Sequence, residues 1–210
     1  MTSFLLVDDH ELMRQGVRQL LLALRPGATI TEAGTADEAL ASIRAARVDL
    51  VLLDLGLKGR SGFDLLSDLH REWPEQLVLV LSGYTEVSWA RRALGSGARG
   101  YVSKTSAAEE LEHAVTRVLN GGRYASPALA ESLVSDLASG PTGSPLESLS
   151  GRELEVLRLV ATGSSLKEIA AQLHLSEKTV GTYRSRLATK LGCSSNVELT
   201  RLALLHGLAD

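Results

Sequence analysis

Two aspartates stand side by side at positions 8 and 9, directly after the apolar run FLLV of residues 4–7. Adjacent carboxylates repel, so either both face water or a positive group belongs beside them. Further along, Asp54 ends the run DLVLLD, Ser82 ends LVLVLS and Lys104 follows RGYVS. Three carboxylates supply hard oxygen ligands suited to Mg²⁺, which keeps several waters and takes few carboxylates. A metal alone has no need of a serine and a lysine. Phosphoryl transfer does, because negative charge spreads over the transferred oxygens and must meet a cation, a metal and hydrogen-bond donors. An aspartate is a competent phosphoryl acceptor. Asp54, central in the set, is the candidate, and Gly83 beside Ser82 leaves room for the group to approach the backbone. Each residue alone has an ordinary use: Asp8 or Asp9 as a helix N-cap, Ser82 as a strand-end hydroxyl, Lys104 as a surface charge. Their ordered recurrence at the ends of successive apolar runs is what points to a site.

The elements that must position them follow from periodicity. Apolar runs at 4–7, 28–33, 49–54, 77–82 and 99–103 alternate with segments of helical spacing at 11–24, 35–46, 62–73, 85–96 and 106–120. Five strands alternating with five helices predict a parallel sheet covered on both faces. The unbroken apolar character of 50–53 and 77–81 fits strands buried on both sides. In such a sheet ligands sit outside the carboxyl ends of the strands, where all five polar residues fall.

After Gly121-Gly122 no sixth strand follows. Residues 127–138 predict a short helix with Pro127 in its first turn and Leu129, Leu133, Val134 and Leu137 on one side. SGPTGSP, residues 139–145, defeats both helix and strand and reads as a linker. Four short helices are expected beyond it, near 151–162, 165–173, 176–191 and 195–206. Residues 1–149 hold 14 Lys and Arg against 19 Asp and Glu, while 150–210 hold 8 against 6. Positive charge concentrates in 177–191, where Lys178, Arg184, Arg186 and Lys190 face Glu177 alone, a weak pointer to an anionic partner. No apolar run approaches the roughly 20 residues of a membrane helix, and the N-terminus lacks the pattern of a signal peptide. The lone Cys193 excludes an internal disulfide and a cysteine-based metal site. A soluble cytoplasmic protein is the expectation.

VDDH, VLLDL, VLSG and GYVSK resemble the signatures of the receiver domain of two-component response regulators, over about residues 3–120. The resemblance implies a flavodoxin-like fold and phosphorylation of Asp54 by a sensor histidine kinase. It implies Mg²⁺ on Asp9 and Asp54, with Asp8 acting largely through water and the backbone carbonyl of Gly56 joining the shell. Lys104 would contact the phosphoryl group, Ser82 would turn toward it, and Tyr101 would be an aromatic switch that follows Ser82. The family often has proline four residues after the acceptor; this chain has Lys58, placing a flexible, basic loop beside an acidic pocket.

Within residues 149–192, a helix near 166–173 joins through LHLS to a basic helix that Ser176 would cap, with Val180, Leu187 and Leu191 facing inward. Two helices with a short turn suggest a helix-turn-helix. RELEVL, KEIAAQL and S-x-K-T-V followed by YRSRLATKLG resemble the LuxR-type DNA-binding domain over nearly all of 148–208, and the whole chain resembles a NarL/FixJ-type response regulator, a transcription factor. Candidate contacts to double-stranded DNA are Lys178, Thr179, Gly181, Thr182 and Ser185, with Arg184, Arg186 and Lys190 on phosphates. The family commonly has lysine where this chain has Gly181. The helix near 195–206 often forms a dimer contact there, against which stands ordinary packing of Val197, Leu199, Leu202 and Leu205 within one subunit.

The organisation expected is a receiver at 1–121, a linker with a short helix at 122–147 and an all-α helix-turn-helix domain at 148–210. Phosphorylation would control homodimerisation and binding to two half-sites of promoter DNA, with RNA polymerase as a potential further partner and no metabolic reaction. Two other classes compete. A phosphohydrolase using an aspartyl-phosphate tends to carry D-x-D on its first strand, whereas Asp8 and Asp9 are adjacent. A module sensing a small molecule in place of phosphate would have no need for all five polar residues.

Overall fold

The computed structural model describes residues 2–83, 87–106, 108–138 and 145–208. Most of the expected linker, 139–144, lies outside them. Five strands, β1 (Ser3–Val7), β2 (Thr29–Ala33), β3 (Leu50–Leu53), β4 (Val78–Ser82) and β5 (Gly100–Ser103), form one sheet in the order β2-β1-β3-β4-β5. Every pairing is parallel. The helices between them are α1 (Glu11–Leu24), α2 (Ala36–Ala45), α3 (Gly62–Glu72), α4 (Val87–Gly95) and α5 (Ala108–Leu119).

Side chains of a strand alternate between faces, and the core divides accordingly. Phe4, Leu6, Leu50, Leu52, Leu79 and Leu81 pack with Val17 and Leu21 of α1 and Leu111 and Val115 of α5. Leu5, Val7, Val51, Leu53 and Val80 pack on the other face with α2, α3 and α4. All residues of β3 and β4 are buried, which explains why those runs lack polar alternation.

Beyond α5 come α6 (Pro127–Ala138), a 3₁₀ turn (Pro145–Ser148), α7 (Gly151–Ala161), α8 (Leu166–Leu173), α9 (Glu177–Leu191) and α10 (Asn196–Leu205). Leu129 of α6 is partly buried against the core, but Val134 is 65% exposed, so the apolar side expected for this helix is not uniformly covered. Serines define the starts of the last four helices. Ser150 and Ser165 form reciprocal capping boxes with Glu153 and Glu168, and Ser176 and Ser195 accept from Thr179 and Glu198. The turn joining α8 to α9 runs through His174 in the left-handed region (φ 53°), with the Leu175 amide donating to the Ala170 carbonyl at 2.9 Å. The second face of the sheet is continuous with this C-terminal unit. Leu146, Leu149 and Leu154 belong to the same apolar cluster as Phe63 and Trp89.

Candidate phosphoacceptor site and helix-turn-helix

The strand order reverses between β1 and β3: from β1 the chain goes to β2 on one side, then returns to β3 on the other. The crevice at this switch point opens beyond the carboxyl ends of the two strands. Backbone bonds seat its residues. The Asp8 amide donates to the Ala33 carbonyl at 3.1 Å, the Asp54 amide to the Val7 carbonyl at 2.8 Å and the Lys104 amide to the Ser82 carbonyl at 2.8 Å. Neither aspartate of the pair serves as helix cap. His10 is the N-cap of α1, without a side-chain cap bond, and its amide donates to Asp8 Oδ1 at 2.8 Å.

Lys104 reaches between strands, with its Nζ 2.6 Å from Asp8 Oδ2 and 2.8 Å from Asp54 Oδ2. Burial disfavours the Asp54 carboxylate more than Lys104 favours it, and its pKa stands above the usual carboxylate range. Burial also works against the Lys104 charge, but Asp54 and Asp8 outweigh it and hold that ammonium above its ordinary value. Ser82, the last residue of β4, is fully buried, and Tyr101, inside β5 opposite Val80, is 3% exposed. A Cβ built on Gly83 meets no protein atom within 4 Å, so packing does not require glycine there.

Two basic side chains converge that spacing alone does not reveal. His10 Nδ1 lies 2.8 Å from Asp9 Oδ1 and 3.3 Å from Asp8 Oδ1, and Lys58 Nζ lies 3.5 Å from Asp9 Oδ2. Asp9 Oδ1 is nonetheless buried without a hydrogen bond, a costly state for a carboxylate oxygen. Ligand atoms of Asp8, Asp9, His10 and Asp54 all lie within 4.8 Å of one another. A buried carboxylate oxygen without a well-directed donor, inside an oxygen-rich cluster, fits a hard divalent cation. The Gly56 amide hydrogen-bonds the Asp54 carboxylate, which brings that residue to the same cluster.

In the C-terminal unit, Val180 and Leu187 of α9 are buried, while Lys178, Thr182, Ser185, Arg186 and Thr189 are exposed and Thr179, Gly181 and Arg184 half-buried. The hydroxyls of Thr182, Ser185 and Thr189 donate to the carbonyls four residues back, at 3.0, 3.0 and 3.1 Å. Their lone pairs therefore face outward as acceptors. Lys190 is occupied within the protein, its Nζ 2.7 Å from Glu153 Oε2 and 3.1 Å from the Ser148 carbonyl. On α10, Leu199 is buried and Leu202 partly buried, but Val197 and Leu205 are 78% and 75% exposed.

A parallel sheet with acidic residues at its switch point, followed by a capped helix-turn-helix, defines a two-domain signalling protein, and similarity to known proteins agrees. Residues 4–116 match the response regulator receiver domain, and residues 147–203 match the bacterial regulatory proteins of the luxR family. The chain belongs to the two-component response regulators of NarL/FixJ type. It is 36% identical over 211 residues to the response regulator UvrY of Escherichia coli K12, covering 100% of this chain and 97% of that one. To the response regulator GacA of Pseudomonas aeruginosa it is 34% identical, covering 100% and 99%. RcsB of Salmonella enterica serovar Typhimurium, solved on the promoter rprA in the presence of the phosphomimetic BeF3⁻, shares the fold at a TM-score of 0.61 and 24% identity, over 96% of this chain and 98% of that one. The chain is thus a response regulator transcription factor and not a metabolic enzyme. Among the described residues no helix is long and apolar enough to cross a membrane.

Proposed function

We propose that Asp54 accepts a phosphoryl group from the phosphohistidine of a sensor histidine kinase, and that this controls homodimerisation and binding of α9 to promoter DNA. The observation that carries the reading is the Lys104 ammonium held against both Asp54 and Asp8, in the cluster that Asp9 and His10 complete. Asp9 and Asp54 would hold Mg²⁺ directly, Asp8 through water, and Gly56 through its carbonyl. The metal would supply charge neutralisation for the phosphoryl oxygens. A carboxylate oxygen of Asp54 forms the bond to phosphorus as the P–N bond to the donor imidazole breaks, and that nitrogen keeps the electron pair. Lys104 leaves Asp54 for a phosphoryl oxygen, keeping a positive charge where negative charge accumulates. Ser82, buried at the end of β4, would donate its hydroxyl to the same group, and Tyr101 would follow into the space Ser82 leaves.

In the output domain, Lys178, Thr179, Gly181, Thr182 and Ser185 would meet base edges in the major groove, with Arg184 and Arg186 on the backbone; Lys190 would join them only by leaving Glu153. The exposed Val197 and Leu205 of α10 favour a subunit contact there over packing within one subunit. Two linked half-site contacts would raise affinity through effective concentration. Incubation with acetyl phosphate and Mg²⁺, read by intact mass, tests the chemistry. The wild type should gain one phosphoryl group and Asp54→Asn none. Labelling of Asp54→Asn at the wild-type level would reject the assignment.

A further inference from the structure

The loop that leaves the candidate acceptor site is also the surface on which the output domain sits. Its first turn is tight: a Cβ on Gly62 would overlap the backbone of Asp54 and Leu55. The Gly62 amide closes the turn by donating to the Leu55 carbonyl at 3.1 Å. Against the outside of this turn rests the start of α7. Gly151 is so close that a Cβ there would lie 2.5 Å from Phe63 Cβ and 2.6 Å from Ser61 Oγ.

Arg152 and Glu155 are keyed into the loop. Both are buried, at 3% and 1% exposure, and pair with each other. Arg152 also donates to the carbonyls of Leu57 and Gly59, and Ser61 Oγ donates to Glu155 Oε1 at 3.0 Å. Arg92 of α4 completes the contact, stacked over Phe63 at 5.1 Å and bonded to the Leu146 and Leu149 carbonyls. Lys58 stands between the two carbonyls that hold Arg152, and its own ammonium is on Asp9.

We propose that the loop 57–61 makes binding of a divalent cation at the acidic cluster and docking of α7 mutually opposed, with Lys58 as the positioning residue that links them. This rests on the assignment of that cluster as a cation site. A metal ligated by Asp9 competes with Lys58 for the same carboxylate and repels its charge. Lys58 then leaves, and the peptide units on either side of it, which present the Leu57 and Gly59 carbonyls to Arg152, reorient. A buried guanidinium that loses two of its acceptors, keeping only Glu155, is disfavoured, so the docked arrangement weakens. Coupling of this kind is reciprocal: whatever undocks α7 must tighten the cation by the same factor.

Gly151→Ala tests this in the full chain, because the atoms its methyl group would meet most closely, on Phe63 and Ser61, belong to the receiver. Small-angle scattering without metal should show a larger radius of gyration for Gly151→Ala than for the wild type, with an unchanged helical circular dichroism spectrum. Isothermal titration with MgCl₂ should then show at least about five-fold tighter binding for Gly151→Ala, the lower end of ordinary coupling between sites. Lys58→Ala, a half-exposed position, should also tighten Mg²⁺, and adding Gly151→Ala to it should produce little further gain. Unchanged Mg²⁺ affinity in a Gly151→Ala protein whose domains have separated would refute the coupling. No separation would refute the docking. Equal gains from Gly151→Ala with and without Lys58 would refute the role of Lys58. Absence of Mg²⁺ binding by the wild type would instead reject the cation site itself.

Discussion

Glu155 gives the docked arrangement a pH dependence whose size can be worked out. Burial raises its pKa from the ordinary 4.5 to about 7, against the pull of Arg152 and Ser61 and with Asp64 adding to the rise. Where the domains part or the chain unfolds, the carboxyl returns to water and to its ordinary value. Between about 4.5 and about 7 the docked state therefore binds the extra proton. Its contribution to stability is full below the lower value and is lost as pH rises through the upper one. One pKa unit corresponds to about 1.4 kcal/mol. Going from pH 6 to pH 8 then removes about 1 kcal/mol, most of it before pH 7.5. The assay is a difference, which isolates this one carboxyl: urea unfolding of wild type and Glu155→Gln at pH 6 and pH 8. Glutamine keeps the size and an acceptor for Ser61 but cannot titrate. The gap between the two proteins should move by about 1 kcal/mol in favour of the wild type at the lower pH. A gap that is the same at both values, or that widens in the opposite sense, would show that Glu155 is not held protonated by this interface.

Other outcomes follow from the same geometry. Asp9→Ala should weaken Mg²⁺ and phosphorylation by acetyl phosphate together, checked by titration and intact mass. Gly181→Ala should raise the thermal stability of the output domain by up to about 1 kcal/mol, because a Cβ there meets nothing within 4 Å; a loss of DNA affinity in the same variant would show that the backbone approaches the groove at this point. Arg186→Ala should weaken binding to every sequence and lower the salt slope by about one unit, whereas Thr182→Ala should relax preference at one base position. A fluorescence-anisotropy series in salt separates the two.

Much of this was legible in the chain. The unbroken runs at 50–53 and 77–81 marked strands buried on both faces, and β3 and β4 are buried at every residue. Ser176 announced the start of α9, and its hydroxyl accepts from the Thr179 amide; the caps at Ser150, Ser165 and Ser195 come from the structure. The convergence of Asp8, Asp54 and Lys104 followed from their places at the carboxyl ends of successive strands. The partners of Asp9 did not. Lys58 reaches it only because Gly59 adopts φ +74° and Gly62 fits against the Asp54 backbone, a path that no periodicity encodes. Arg152 and Glu155 were invisible for another reason. An arginine and a glutamate three apart on a short helix look like an exposed pair, and nothing local says that another domain will cover them. The exposed Val134 shows the converse: apolar spacing identifies a face, and what covers that face is decided elsewhere in the chain.

The place of contact also constrains how the signal can work. The receiver covers α7, yet the outward residues of α9, Lys178, Thr182, Ser185 and Arg186, remain exposed in the docked arrangement, as do Val197 and Leu205 of α10. Undocking therefore changes little in what a single output domain can present to DNA. It changes where that domain can go relative to its own receiver, and hence whether two of them can reach two half-sites in one dimer. On this view Gly151→Ala should leave the affinity for a single half-site within about two-fold of wild type, while raising that for a paired site well beyond it. Equal gains on single and paired sites would mean instead that the receiver hinders α9 directly, and would place the control in the recognition helix rather than in the reach of the domain that carries it.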